Sequence, residues 1–164
     1  MKLLAINRKT EIEESKLYGE VYLPDEWLEK DIFSPFEFFL AQINLSEIKS
    51  ELLDCEGYLC FFIEAYNFSQ TKLKAKVRYF AGEPDAYTDF NDGYFETDLN
   101  EYALIQESIG TLNYMEVVNE QVVLLEIPTE LLPFASTCKK IQFVVELNEL
   151  KVRNFDNIRL VFVN

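Results

Sequence analysis

The chain has 164 residues, is 49% hydrophobic with 14 Phe and 9 Tyr, carries a net charge of −14 and contains no histidine. A chain of this size and apolar content buries one sizeable core, so a single domain over 1–164 is expected and global disorder is excluded. The missing histidine removes the Ser-His-Asp and Cys-His nucleophile systems and every His-ligated metal site.

Taken in chain order, Met1–Arg8 is too short an apolar stretch for a signal peptide. No apolar run reaches the roughly 18–20 residues that span a bilayer. A cytoplasmic protein with no membrane partner is expected. Pro24-Asp25-Glu26-Trp27-Leu28-Glu29-Lys30 predicts a short helix with acids in its first turn, and Trp27 is expected as a core anchor. Leu45–Lys49 predicts a second short helix capped by Asn44. Cys60-Phe61-Phe62-Ile63 is apolar at every position, which suits a central strand covered on both faces. From Lys72 to Phe80 the alternation is clean, with Leu73, Ala75, Val77 and Tyr79 on one face and Lys72, Lys74, Lys76 and Arg78 on the other. A slip of one residue would bury four cations, so the register is well specified.

Thr97–Gln106 is ambiguous, because Thr97 could cap a helix while Tyr102-Ala103-Leu104-Ile105 could begin a strand. Glu120–Ile127, Ile141–Leu147 and Ile158–Val163 predict strands rich in Val, Ile and Phe. Glu149–Phe155 has room for a turn or two of helix. The expected fold class is α+β and β-rich, with mostly antiparallel sheets and a few short helices. Phe38–Glu47 leading to Cys60-Phe61-Phe62 is echoed by Val122–Glu130 leading to Ile141–Val145. This suggests an internal pseudo-repeat of units around 36–65 and 120–147.

Two stretches resemble a known family. They are Ser15-Lys16-Leu17-Tyr18-Gly19 with Tyr22-Leu23-Pro24 and Trp27, and Pro35 with the run Phe39-Leu40-Ala41-Gln42-Ile43-Asn44-Leu45-Ser46-Glu47-Ile48 and Gly57-Tyr58-Leu59-Cys60-Phe61-Phe62. Together with Ile141-Gln142-Phe143, Glu149-Leu150 and Asn154-Phe155-Asp156-Asn157-Ile158, they resemble the bacterial YwqG-like proteins over roughly 15–80 and 120–160. The resemblance implies a β-rich α+β fold with pseudo-repeats inside the cell, and it brings no catalytic residues. The chain departs from the family in being shorter through its middle and in having Glu20 where a second glycine is common.

The charge is unevenly placed. Tyr79 through Cys138 contains no Lys or Arg and twelve acids. Such a surface repels nucleic acid, whose phosphates need a basic footprint, and attracts cations or basic proteins. Aromatics interleave with the acids, as on surfaces that bind proteins. The candidate binding residues are Asp85, Tyr87, Asp89, Asp92 and Tyr94. Asp89-Phe90-Asn91-Asp92-Gly93 lacks EF-hand spacing because Phe90 stands at a ligand position, and Asn91-Asp92-Gly93 reads as a turn, with weak calcium capture by the acids as the alternative. The ladder Lys72, Lys74, Lys76, Arg78 is expected to be solvated, to face acids on a neighbouring strand, or to guard a sheet edge; anion binding is the alternative. Gln42 is expected to fix backbone at a strand end and Asn44 to cap the next turn, with a ligand contact from Gln42 as the alternative.

Cys55, Cys60 and Cys138 lack zinc-ligand spacing and are expected as free thiols. The isolated glycines form no phosphate-cradling loop. No catalytic residue, metal or cofactor is identified. The expected function is a non-enzymatic protein-binding domain, of immunity or inhibitor type, that covers a basic partner. The alternatives are a structural or accessory domain, and an enzyme or small-molecule binder using paired carboxylates.

Overall fold

The structure, a computed structural model, describes residues 1–67, 72–134 and 136–164. Among these residues the chain forms twelve strands and two five-residue helices. The strands are β1 (Lys2–Asn7), β2 (Lys16–Leu17), β3 (Val21–Leu23), β4 (Glu37–Asn44), β5 (Tyr58–Ala65), β6 (Leu73–Phe80), β7 (Ala86–Thr88), β8 (Tyr102–Glu107), β9 (Leu112–Val118), β10 (Gln121–Pro128), β11 (Lys140–Glu146) and β12 (Arg159–Val163). The helices are α1 (Asp25–Glu29) and α2 (Leu147–Lys151). Ten strands form one antiparallel sheet in the order β12-β11-β10-β9-β1-β8-β2-β4-β5-β6, and β3 and β7 form a second, two-stranded sheet. The large sheet curls until β6 approaches β12, giving a nearly closed barrel.

One core fills the barrel. Leu3, Leu17, Phe38, Leu40, Ile43, Phe61, Ile63, Tyr114, Leu124 and Phe143 meet there, drawn from both halves of the sheet. A second cluster lies outside the barrel wall, where Phe39, Tyr58, Cys60 and Phe62 pack under Val21, Leu23, Trp27, Phe33 and Phe90. This outer layer explains why β4 and β5 are buried at every position. In β5 alternate side chains enter the two cores, Leu59, Phe61 and Ile63 inside and Tyr58, Cys60 and Phe62 outside, so both faces are apolar over that stretch. Strand β4 changes parity at its bulge and buries Glu37, Gln42 and Asn44 as well. Trp27 anchors the outer layer edge-on to Phe33 and Phe80.

Strands β8 and β9 flank β1 instead of pairing with each other. Their connection must therefore cross the end of β1, and Gly110 lies where a Cβ would come 2.2 Å from the Leu3 carbonyl oxygen. Gly57 meets a similar demand at φ +115°, where a Cβ would come 2.0 Å from the carbonyl oxygen of Phe80. Neither site tolerates a side chain without moving backbone.

Two expectations are corrected and one open reading is decided. Leu45–Lys49 is a hydrogen-bonded turn rather than a helix. Leu45 and Ile48 are both buried, and a single turn already delivers both to the core. Thr97 caps no helix; strand pairing of 102–107 with β1, reinforced by β2, prevails over the helical alternative. The last helix begins at Leu147, two residues before the expected Glu149. The strands expected around 60–63, 72–80, 120–127, 141–147 and 158–163 are β5, β6, β10, β11 and β12.

Candidate protein-binding surface

The segment from Ala81 to Glu101 is laid over the outer layer by its few apolar residues. Strand β7 pairs with β3 through Val21↔Thr88, Tyr22↔Tyr87 and Leu23↔Ala86. Phe90 packs on Phe33 and Phe62, with ring centroids 4.9 and 5.0 Å away. Asn91 then acts as a substitute strand. Its Nδ2 donates to the Phe39 carbonyl at 2.8 Å, and its Oδ1 accepts from the Phe39 N–H at 2.7 Å. These bonds satisfy the free side of β4 beside the bulge between Phe39 and Ala41. Asn91-Asp92-Gly93 is a turn closed by the Tyr94 N–H on the Asn91 carbonyl at 2.9 Å, with Gly93 at φ +71°.

Anchored this way, the segment turns its acids to solvent. Asp85, Asp89, Asp92, Glu96 and Asp98 are exposed, and Tyr87 stands 66% exposed among them. Asp85 also has a structural task, since its Oδ1 accepts the Asp25 N–H at the start of α1 at 2.7 Å. Tyr94 is turned inward: it is half-buried, leans on Phe38 and Phe95, and donates its hydroxyl to the Phe36 carbonyl at 2.8 Å. The five candidate residues thus separate into an exposed trio of Tyr87, Asp89 and Asp92, a helix-supporting Asp85 and a largely internal Tyr94.

Three acids join this surface that spacing along the chain does not reveal. Glu20, Asp98 and Glu101 share with Asp89 a cleft of about 180 Å³ beside Tyr18 and Gly19. Burial raises the Asp89 carboxyl above its ordinary value, and the charges of Asp92, Asp98, Glu20 and Glu101 raise it further. Glu101 is held in place by the N–H and hydroxyl of Thr10, both at 2.9 Å. Among the described residues no group of three or more carboxylates or thiols is arranged to hold a metal ion.

The nearest run of cations does not neutralise this surface. Arg78 forks onto Glu37 of β4 at 2.7 and 2.9 Å, and its guanidinium lies over the Phe33 and Phe62 rings. Lys76 faces Glu64 of β5 at 3.8 Å. Two of the four ladder residues therefore meet acids, Lys76 on the adjacent β5 and Arg78 on β4 beyond it. Among the described residues, none of the seven acids from Glu83 to Glu101 forms an ion pair.

Gln42 and Asn44 are engaged with backbone. Gln42 accepts the Tyr22 N–H and donates to the Ile12 and Glu14 carbonyls. Asn44 donates to the Glu13 carbonyl and accepts from the N–H and hydroxyl of Ser46, capping the turn after β4. Buried Lys16 completes this support, donating to the Glu11 and Glu20 carbonyls while burial lowers its pKa. The three cysteines are free thiols, and burial pushes the Cys60 thiol up to about 12. Compared with known proteins, the chain matches no family model and no curated protein.

Proposed function

We propose that the chain is a non-enzymatic, cytoplasmic protein-binding domain, of immunity or inhibitor type, that receives a basic partner on the surface around Tyr87, Asp89 and Asp92. The observation that carries this reading is that seven acids between Glu83 and Glu101 lack an internal ion pair among the described residues, while Tyr87 stands exposed among them. Repulsion that raises the Asp89 carboxyl is relieved when a cation arrives, so the free surface favours a basic ligand. Tyr87 supplies the amphipathic contact area on which affinity concentrates, and the acids supply steering.

The carboxylate-enzyme reading has less support. The acidic cleft encloses about 180 Å³, below the roughly 300–1,000 Å³ of ordinary ligand pockets. Kinship with the YwqG-like proteins belongs to the same proposal, and what supports it is the Leu-Ala-Gln-Ile-Asn-Leu run itself. Duplication of the 36–65 and 120–147 units is also proposed. Its support is a register shift at matching places, between Phe39 and Ala41 in one unit and between Val123 and Leu125 in the other.

The test is retrieval of partners from the source cells at low salt, followed by a salt series with the purified pair. A basic partner is expected, and its association should slow as salt shortens the Debye length from about 10 Å at 0.1 M to about 3 Å at 1 M. Asp89→Lys with Asp92→Lys should slow that association while leaving the circular dichroism spectrum unchanged. Asp85 is left intact because it supports α1. Recovery of only neutral or acidic partners, or an unchanged rate in the double variant, would reduce the acids to a solubilising surface.

A further inference from the structure

Asp92–Gly93 is the one place in the chain where an aspartate or asparagine is followed by glycine. Such a pair carries its own chemistry. The nitrogen of the second residue can attack the side-chain carbonyl carbon of the first and close a five-membered ring. Any side chain on the attacking residue crowds that approach, and glycine has none.

The fold sets this pair at the apex of a tight turn and engages neither reacting group. Phe90 and Asn91 fasten the chain before it, Phe90 on Phe33 and Phe62 and Asn91 on the Phe39 backbone. Tyr94 fastens it after, through its hydroxyl on the Phe36 carbonyl. The turn's own hydrogen bonds run from the Asp92 N–H to the Asp89 carbonyl at 3.2 Å and from the Tyr94 N–H to the Asn91 carbonyl at 2.9 Å. The Gly93 N–H lies between them and, among the described residues, donates to nothing. The Asp92 carboxyl is exposed, and among the described residues it accepts no hydrogen bond and forms no ion pair. Gly93 stands at φ +71°, and a Cβ there would meet nothing within 4 Å. The ring has room to close, and water has room to open it.

We propose that Asp92–Gly93 is a self-modifying site, where the folded protein forms a succinimide and converts Asp92 to isoaspartate. The new bond joins the Gly93 nitrogen to the Asp92 side-chain carbonyl carbon. The carboxyl loses its hydroxyl and the amide its proton, which leave together as one water. Water then adds back. Attack at the side-chain carbonyl restores aspartate, and attack at the main-chain carbonyl gives isoaspartate, in which the chain runs through the side-chain carbon. Nothing is oxidised or reduced, and water is the only co-reactant. The main chain is lengthened by one carbon inside the turn that the Tyr94 N–H closes on the Asn91 carbonyl, so that hydrogen bond loses its geometry. The Asn91 clasp on Phe39 precedes the altered bond and stays. The reaction needs no partner, so it stands apart from the binding reading.

The test incubates the full chain in warm, near-neutral buffer, folded or in guanidinium chloride. Isoaspartate is read by methyl transfer from S-adenosylmethionine with an isoaspartate methyltransferase and located by electron-transfer fragmentation. In the folded chain it should accumulate at Asp92 alone, through an intermediate lighter by one water. Its rate should lie within roughly tenfold of the rate in denaturant, since no competing hydrogen bond raises the barrier. Asp92→Glu keeps the charge but must close a larger and slower ring. It should abolish the signal and leave the circular dichroism spectrum unchanged. In the modified protein hydrogen exchange should quicken at the Tyr94 amide and not at the Phe39 amide. Isoaspartate at another residue of the folded chain, a signal that survives Asp92→Glu, or no isoaspartate at all would overturn the proposal. So would reaction in denaturant alone, which would show that the turn holds the carboxyl out of reach. Unchanged exchange at Tyr94 in the modified protein would overturn the assigned effect on the turn.

Discussion

The four cations of the Lys72–Arg78 ladder and the seven acids between Glu83 and Glu101 are both dense runs of one sign, yet the fold treats them differently. The cations lie along a regular strand; Lys76 meets Glu64 on the adjacent β5, and Arg78 reaches across β5 to Glu37 of β4, so two of the four are paired. The acids lie on a segment held down by Ala86, Phe90 and Asn91, and among the described residues none of them forms an ion pair. A strand in a sheet brings its outward side chains opposite those of the next strand, so charge is matched locally. A segment fastened by a few apolar pegs points its remaining side chains at water and leaves its charge available.

The comparison predicts a graded response to substitution. Glu37→Ala should be the most damaging. It strips the partner from Arg78, whose guanidinium is mostly covered and lies over two phenylalanine rings, and should cost about 3 kcal/mol in urea unfolding. Glu64→Gln, which breaks the longer and wetter contact to Lys76, should cost about 0.5 kcal/mol. Asp89→Asn with Asp92→Asn should change stability by no more than about 0.5 kcal/mol, since these acids hold nothing together through their side chains. A loss as large as that of Glu37→Ala would place the acids among the structural ion pairs and end the contrast.

Acid titration sharpens the comparison with the smallest signal. At Glu14 the hydrogen bond from Arg8 lowers the carboxyl to about 2. Its contribution to stability is present above the ordinary glutamate value and is lost as pH falls toward about 2. Asp89 has the opposite sign. Its folded carboxyl is raised, so the folded state keeps a proton that the unfolded chain has released, and stability falls as pH rises through that window. Carboxyl-resolved NMR titration should find Asp89 above and Glu14 below their ordinary values. Asp92→Asn should lower Asp89, and an unmoved Asp89 would remove Asp92 from the causes of its shift.

Much of the sheet is legible from local pattern. The unbroken run Cys60–Ile63 predicts burial on both faces, and β5 is covered by the barrel core on one side and the outer cluster on the other. The alternation at 72–80 predicts the outward ladder. Gln42 and Asn44 read as backbone ties, and their bonds go to Ile12, Glu13, Glu14, Tyr22 and Ser46. Strand β1 is harder to find, because Leu3-Leu4-Ala5-Ile6 does not alternate, although it occupies the middle of the sheet. The acidic surface was visible as composition, but its internal order was not. Tyr94 and Tyr87 look alike along the chain, yet one leans on Phe38 while the other faces solvent.

The sequence by itself determined the strand-rich class, the register of β6, the double burial of β5 and the concentration of acids in a stretch without bases. Each of these depends on period-two patterning or composition, which act over a few residues. Only the tertiary structure decided that Glu20, Asp98 and Glu101 surround Asp89, that Glu37 takes Arg78, and that β6 and β12 end the sheet facing each other across a groove. Those arrangements join residues far apart in the chain. They follow from how the sheet curls and which layer covers it, and local hydrophobic periodicity carries no information about either.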